Sequence, residues 1–424
     1  MNGAPVPKSA AIVSAVDPYP TNAGKKVVLA GFNDYFAQRL GANNVHYLMV
    51  GGPANPEFPV RVHSLPRPRV MSAVGNVLAK AATGRVSIQE ALLRSRALGT
   101  AIRRTLDSID PDLEVYDTIR MAQHAPTHRR DRQVCYLDDL FSERYQSMLR
   151  TAERYPDVDI NPLGNFATHV PRPLRPLAAH PWGQQLLLTV EQGLVRRSED
   201  RDARRFSATL LMNETEAGLL RHRIRSATAP VLSIPPLIAE PSGARAYRGA
   251  PEFVFLGLLS LPHNDDGLRS FLSDVWPLVR SARPDATLRV IGRDPRPGLI
   301  DEAARHGGSV IMEGFVPDLG EILGRAAALV NPLRFGSGVK LKIIEALGRG
   351  VPVVSTTVGA DGVAAGDDEG ILVCDDHPEM ADLLLGATDL RRNDALSAAA
   401  REHFARRYSR AAVFECYDRT FGLA

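Results

Sequence analysis

The stretch Asn331-Pro-Leu-Arg-Phe-Gly-Ser-Gly-Val-Lys-Leu-Lys-Ile-Ile-Glu-Ala-Leu347 runs from an apolar segment through a glycine-bearing turn into helical spacing. Ala328-Leu-Val-Asn331 reads as a buried strand, and Val339–Leu347 as a helix closed by Gly348 and Gly350. A strand that opens through glycines into a helix leaves backbone N–H groups at the positive end of the helix dipole, which makes an anion site. Gly336 and Gly338 let the backbone approach an anion with no Cβ in the way. Arg334 before the turn and Lys340 in the first helical turn add the charge a diphosphate requires. Glu345 can accept hydrogen bonds from two adjacent hydroxyls, as on a ribose. The spacing equally admits a structural reading, in which Glu345 pairs with Lys342 or Arg349 on the helix surface and the glycines only close a turn.

Outward from this stretch the second half alternates regularly. Phe253–Leu256, Thr287–Ile291, Ser309–Glu313 and Val351–Ser355 read as strands, Gly267–Ala282 and Leu319–Ala327 as helices, and Pro378–Phe421 as largely helical. The first half alternates too. Ala10–Val16, Val45–Val50, Asp112–Tyr116, Gln133–Leu137 and Ala208–Met212 read as strands; Lys25–Leu40, Val86–Ile109, Gln184–Arg204 and Glu214–Arg225 read as helices. Residues 151–185, rich in Pro and His, show no periodicity and read as an irregular excursion, and Val231–Pro236 reads as the crossing into a second unit. Such alternation predicts parallel sheets covered on both faces, here two doubly wound α/β domains with a cleft between them.

The length of 424 residues suits two or three domains, and 44% hydrophobic with 23% charged residues suits a packed fold. No apolar run is long enough for a membrane-spanning helix, and the N-terminus lacks the apolar core of a secretion signal. Cys135, Cys374 and Cys416 lie far apart without metal or disulfide spacing, which fits a reducing cytoplasm. The net charge of +3 is uneven: residues 1–230 hold 30 Lys and Arg against 22 Asp and Glu, whereas residues 231–424 hold 21 against 26. The basic half favours an anionic acceptor or an anionic membrane surface; with aromatics at 6% and no nucleic-acid motif, nucleic acid is not expected.

The quoted stretch, followed by Gly350-Val-Pro-Val-Val-Ser355 and Gly359-Ala-Asp-Gly362, resembles the donor half of retaining GT-B glycosyltransferases of the family 4 type. Phe255-Leu-Gly257, Trp276-Pro-Leu-Val-Arg280, Val290-Ile-Gly292 and Glu313-Gly-Phe-Val316 extend the likeness, which is strong over 251–409 and weaker over 1–230. It implies an acceptor domain over 1–230, a donor domain over 231–405 and a helix over 406–424 returning to the first domain. It implies a ribose-binding role for Glu345, base-clasping loops at Gly292-Arg293 and Phe315-Val316, and diphosphate contacts along Gly336, Ser337, Gly338 and Val339. Gly257 ends the first strand of the donor domain, and Gly24 closes a loop that resembles the family's glycine loop at the reaction centre.

Two departures stand out. Ser337 occupies the place of a Glu that contacts the donor sugar in the family, and no Arg or Lys stands between Gly257 and Asp266, so Lys340 and Arg334 are expected to neutralise the leaving group. Asp138 stands where the family often carries His, so Asp138 or Asp139 is expected to orient a hydroxyl, although Asp139 can equally cap the helix after it. The resemblance implies transfer of a hexosyl or N-acetylhexosaminyl group from a nucleotide diphosphate sugar to an acceptor hydroxyl with retention. No cofactor and no metal are implied, and the acceptor is a saccharide, a lipid-linked molecule or a small metabolite. The expected location is the cytoplasm, with peripheral contact at the inner membrane face. A nucleotide-sugar epimerase or hydrolase, or a binder without turnover, are the alternatives on the same fold.

Overall fold

A computed structural model describes residues 6–21, 23–53, 58–68, 86–154, 181–225 and 229–423. The chain forms two compact units: Met1–Leu149 with Pro162–Ile238 and Val413–Ala424, and Arg150–Asn161 with Ala239–Ala412.

The first unit carries a seven-stranded parallel sheet of β1 (Ala10–Ser14), β2 (Val45–Val50), β3 (Arg61–Leu65), β4 (Leu113–Asp117), β5 (Gln133–Asp138), β6 (Ala208–Leu211) and β7 (Val231–Ser233). Their order is β3-β2-β1-β4-β5-β6-β7. Strands β1, β2, β4, β5 and β6 are buried along their whole length, which is why they read as apolar runs rather than alternating ones. Helices α1 (Gly24–Leu40), α2 (Ile88–Leu93), α3 (Arg96–Ile109), α4 (Thr118–Ala122), α5 (Phe141–Arg154), α6 (Pro181–Arg205) and α7 (Glu214–Ile224) connect them. Of the expected irregular excursion over 151–185, Thr151–Arg154 completes α5 and Pro181 opens α6, while the rest lies outside the described residues. Val231–Ser233 pairs in parallel with β6, so the crossing out of this unit comes later than the sequence suggested, after Ile238. Residues from the end of the chain complete this core. Phe32, Phe36, Tyr417 and Phe421 are all fully buried, Phe36 and Phe421 lie 4.9 Å apart, and the Tyr35 hydroxyl donates to Asp418 Oδ1 at 2.9 Å.

The second unit carries six parallel strands, β8 (Glu252–Leu256), β9 (Thr287–Ile291), β10 (Val310–Gly314), β11 (Ala328–Asn331), β12 (Val353–Ser355) and β13 (Ile371–Val373), ordered β10-β9-β8-β11-β12-β13. Its helices are α8 (Pro262–Ser270), α9 (Trp276–Ala282), α10 (Pro297–Arg305), α11 (Gly320–Arg325), α12 (Leu341–Gly348), α13 (Thr357–Ala360), α14 (His377–Gly386) and α15 (Leu390–Arg407). Phe253, Phe255, Trp276, Leu288 and Val330 form the centre of its core. The helix expected over Gly267–Ala282 begins five residues earlier, because Pro262 fits a first helical position, and a π turn at Phe271–Val275 joins α8 to α9. Helix α12 begins at Leu341, so Lys340 is its N-cap residue rather than part of its first turn.

Candidate functional site

Each sheet has one break in its strand order. In the second unit the chain steps from β8 to β9 to β10, then returns to place β11 on the other side of β8. Right-handed crossovers running in opposite directions send their helices to opposite faces, so a crevice opens at the carboxyl ends of β8 and β11. The turn quoted at the outset lies there. An added Cβ on Gly336 would sit 3.7 Å from Lys340 Cε and 4.0 Å from His263 Cβ, so this glycine lies against both walls. Gly336 and Gly338 adopt φ of 139° and 70°, the left-handed side that glycine tolerates and other residues resist.

The side chains of this turn are tightly engaged. Lys340, only 9% exposed, folds back and donates to the carbonyl oxygens of Ser337 at 3.1 Å and Gly338 at 2.6 Å. This cation therefore braces the turn from within. Arg334 grips Asp266 of α8 with two nitrogens, Nε to Oδ2 at 2.8 Å and Nη2 to Oδ1. Val339 follows Gly338 at the mouth of α12. Glu345 Oε1 accepts from Arg349 Nε at 3.0 Å and Nη2 at 2.8 Å, so the i,i+4 pair does form. No hydrogen bond reaches Glu345 Oε2 among the described residues, which leaves that oxygen for a ligand.

From the sequence alone Lys342 reads only as a surface partner of Glu345. It instead crosses the break: its Nζ donates to Asn264 Oδ1 at 3.0 Å and lies 4.5 Å from the ring centre of Phe255. Burial, with the neighbouring charge of Lys340, pushes its pKa down to about 7.

On the β8 and β9 side the chain ends approach closely. A Cβ on Gly292 would fall 1.9 Å from the Gly257 carbonyl oxygen, and one on Gly257 2.8 Å from Asn264 Nδ2. Arg293 lays its guanidinium 3.7 Å from the centre of the Phe315 ring, and that ring is 59% exposed. A flat aromatic held out by an arginine beside Val316 is a platform on which a planar base can stack.

The first unit repeats the logic. The chain steps from β1 to β2 to β3 and returns with β4 on the other side of β1. At that break Lys25, next to Gly24 at the start of α1, reaches Asp117 Oδ1 at 2.7 Å and Asp138 Oδ2 at 3.4 Å. Ser14 donates to Asp117 Oδ2 at 2.7 Å, and the Tyr136 hydroxyl to Asp138 Oδ1 at 2.7 Å. Burial alone pushes the Asp138 carboxyl up, but Lys25, the Tyr136 hydroxyl and Arg144 outweigh it and hold it below the ordinary range. Asp138 and Thr118, at the ends of β5 and β4, both adopt positive φ, 75° and 64°. Such backbone costs about 1 kcal/mol or more per residue and collects at working sites. Asp139 is paired with Arg144, while the amide of Leu140, just before α5, and that of Ser142 in its first turn donate to Glu216 at 2.9 Å and Glu199 at 3.0 Å. Lys25 and Asp117 were not singled out from the sequence; their signal is their place at the break, Asp117 at the carboxyl end of β4 and Lys25 in the first turn of the helix that follows β1. Among the described residues no group of three His, Cys, Asp or Glu is arranged to hold a metal ion.

The fold is that of the GT-B glycosyltransferases. The sucrose-phosphate synthase from Thermosynechococcus elongatus superposes with a TM-score of 0.66 over 98% of this chain and 100% of its own, at 14% identity. Anabaena HepE in complex with UDP-glucose gives 0.60 over 98% and 100% at 12%, and WaaG, a glycosyltransferase involved in lipopolysaccharide biosynthesis, gives 0.59 over 97% and 99% at 14%. Within the second unit, residues 250–388 match the model of Glycosyl transferases group 1. An uncharacterized 44.6 kDa protein of the cps region of Klebsiella pneumoniae is 30% identical over 131 residues, 29% of this chain and 34% of that one. The match thus spans about a third of that relative. No helix among the described residues is long and apolar enough to cross a membrane.

Proposed function

We propose that the protein is a glycosyltransferase that moves a sugar from a nucleotide diphosphate sugar to an acceptor hydroxyl with retention of anomeric configuration. The observation that carries this is the crevice at the β8/β11 break, where a glycine turn, a helix N-terminus and two lysines converge within the stretch that matches group 1 glycosyl transferases. The base stacks on Phe315 beside Arg293, Gly292 and Val316, and the ribose hydroxyls donate to Glu345 Oε2. The diphosphate lies along Gly336, Ser337, Gly338 and Val339, whose shape Lys340 fixes from inside. As the glycosidic bond breaks, negative charge grows on the diphosphate and is met by these fixed dipoles and cations. The chain's own positive groups thereby fill the role that a metal ion plays in other transferases. The departing phosphate oxygen takes the acceptor's proton, so no separate protein base is needed.

The acceptor is proposed to meet Asp138, Asp139, Asp117 and Lys25. Two carboxylates around one ammonium suit the hydroxyls of a saccharide, free or lipid-linked, better than a phosphate. The excess of Lys and Arg in residues 1–230 supports a further contact with an anionic membrane face.

The test is incubation with UDP-, GDP-, ADP- and TDP-sugars and a panel of saccharide acceptors, with NMR of the product anomer. A product of retained configuration that forms only with an acceptor is expected. Isomerisation or hydrolysis at the same rate without acceptor would remove the transferase reading.

A further inference from the structure

Lys342 is the second residue of α12, half-buried, with one neutral oxygen and one aromatic face as its only described partners. No carboxylate pairs with it among the described residues. The acids around the crevice are committed elsewhere: Asp265 to Arg269, Asp266 to Arg334 and Glu345 to Arg349. The remaining titratable groups at the break are Lys340, at the end of the same turn, and His263 in the first turn of α8. Lys340 is occupied by two backbone carbonyls, as described above, and Arg334 by Asp266. Lys342 is therefore the cation at this break that can change partners without dismantling the turn, since it would exchange only the Asn264 amide oxygen.

We propose that Lys342 is the lysine that meets the donor's diphosphate, and that it takes up a proton as the nucleotide sugar binds. This rests on the reading of the crevice as a donor site. The step is a simple proton transfer: the Nζ lone pair accepts a proton from buffer, an N–H bond forms, and nothing is oxidised or reduced. Without ligand, burial and the charge of Lys340 disfavour the ammonium; a diphosphate carrying two negative charges within contact distance reverses that balance. Because the amine is half-protonated at about pH 7, binding should draw in about 0.5 proton at pH 7 and about 0.9 at pH 8. The sign follows from linkage. A group whose pKa rises on binding makes affinity fall as pH increases above its free value, here about ten-fold per unit above pH 7 until the bound form itself deprotonates.

Titration calorimetry with UDP-glucose at pH 8, in two buffers of different ionisation enthalpy, measures the uptake directly. UDP-glucose is the suitable probe because its diphosphate is esterified at both ends and does not titrate in this range; GDP-mannose, ADP-glucose and TDP-glucose replace it if they raise the melting point more. We expect uptake of about 0.9 proton in the wild-type protein, none in Lys342→Gln, and none with affinity retained in Lys342→Arg, whose guanidinium cannot deprotonate. The wild-type measurement stands even if either variant fails to fold. Binding without net proton uptake, uptake that persists in Lys342→Gln, or uptake that vanishes in His263→Asn would each overturn the inference and leave the donor site standing. Failure of every nucleotide sugar to bind between pH 6 and 8 would overturn the donor site and this inference together.

Discussion

Replacing Glu345 by Gln separates the two roles its geometry allows. In the folded protein Oε1 is fully engaged by Arg349, whereas Oε2 faces no described partner, so a ligand and a structural clamp would draw on different oxygens. A ribose placing two hydroxyls on Oε2 makes hydrogen bonds to a charged acceptor, each worth about 1.5–3 kcal/mol when buried. The Glu345 side chain is 25% exposed, so solvent screens part of this. An amide keeps the shape and still accepts from Arg349, but loses the charge, and a loss of about 2 kcal/mol corresponds to roughly thirty-fold in Kd. Calorimetry with UDP or the preferred nucleotide gives the affinity, and thermal unfolding of the same samples gives the clamp. The expected result for Glu345→Gln is a Kd raised by more than ten-fold with a small change in Tm. A lowered Tm with unchanged Kd would show that Glu345 serves only Arg349, and the placement of the ribose would have to be abandoned.

Three further outcomes are expected. Glu199, buried under Ser142 and Arg223, has its carboxyl pushed up to about 7 by burial, so the native protein holds an extra proton between about pH 4.5 and 7; the stabilisation this brings is lost as pH rises through 7, and Glu199→Gln should flatten the change in Tm between pH 5 and 8. Lys25→Met leaves Asp117 and Asp138 buried without their counter-ion and should cost about 2–4 kcal/mol in urea unfolding, with stability but not transfer recovered when Asp117→Asn is added. Gly292→Ala drives a methyl into the Gly257 carbonyl and should abolish nucleotide binding or lower stability by about 2 kcal/mol or more, whereas Gly308→Ala, with nothing within 4 Å, should do neither.

The order of strands could not be read from the sequence, and the two sites depend on it. Buried strands announced themselves by apolar runs, as at Ala328–Asn331, whose limits match the expected ones. Strand β3 did not: Arg61-Val-His-Ser-Leu65 lies on the sheet edge, largely accessible, so its composition looks like loop. The polar run His263-Asn-Asp-Asp266 concealed the beginning of α8, although Pro262 is the residue that marks it. The glycine turn and the acid eight residues on from Ser337 were visible locally, because an anion cradle is a local object. The partners of Lys342, Lys25 and Asp117 were not, since each comes from a strand or helix distant in sequence and is brought near only by the break in strand order.

The clasp between α1 and the last helix, Arg410–Phe421, sets a timetable for synthesis. Phe32, Tyr35 and Phe36 leave the ribosome hundreds of residues ahead of Tyr417 and Phe421, which cover them. Until Tyr417 and Phe421 have emerged, that aromatic patch is bare, and folding of the first unit from the N-terminus stays incomplete. A nascent chain halted before Val413 would therefore display a sticky surface on an otherwise assembled sheet.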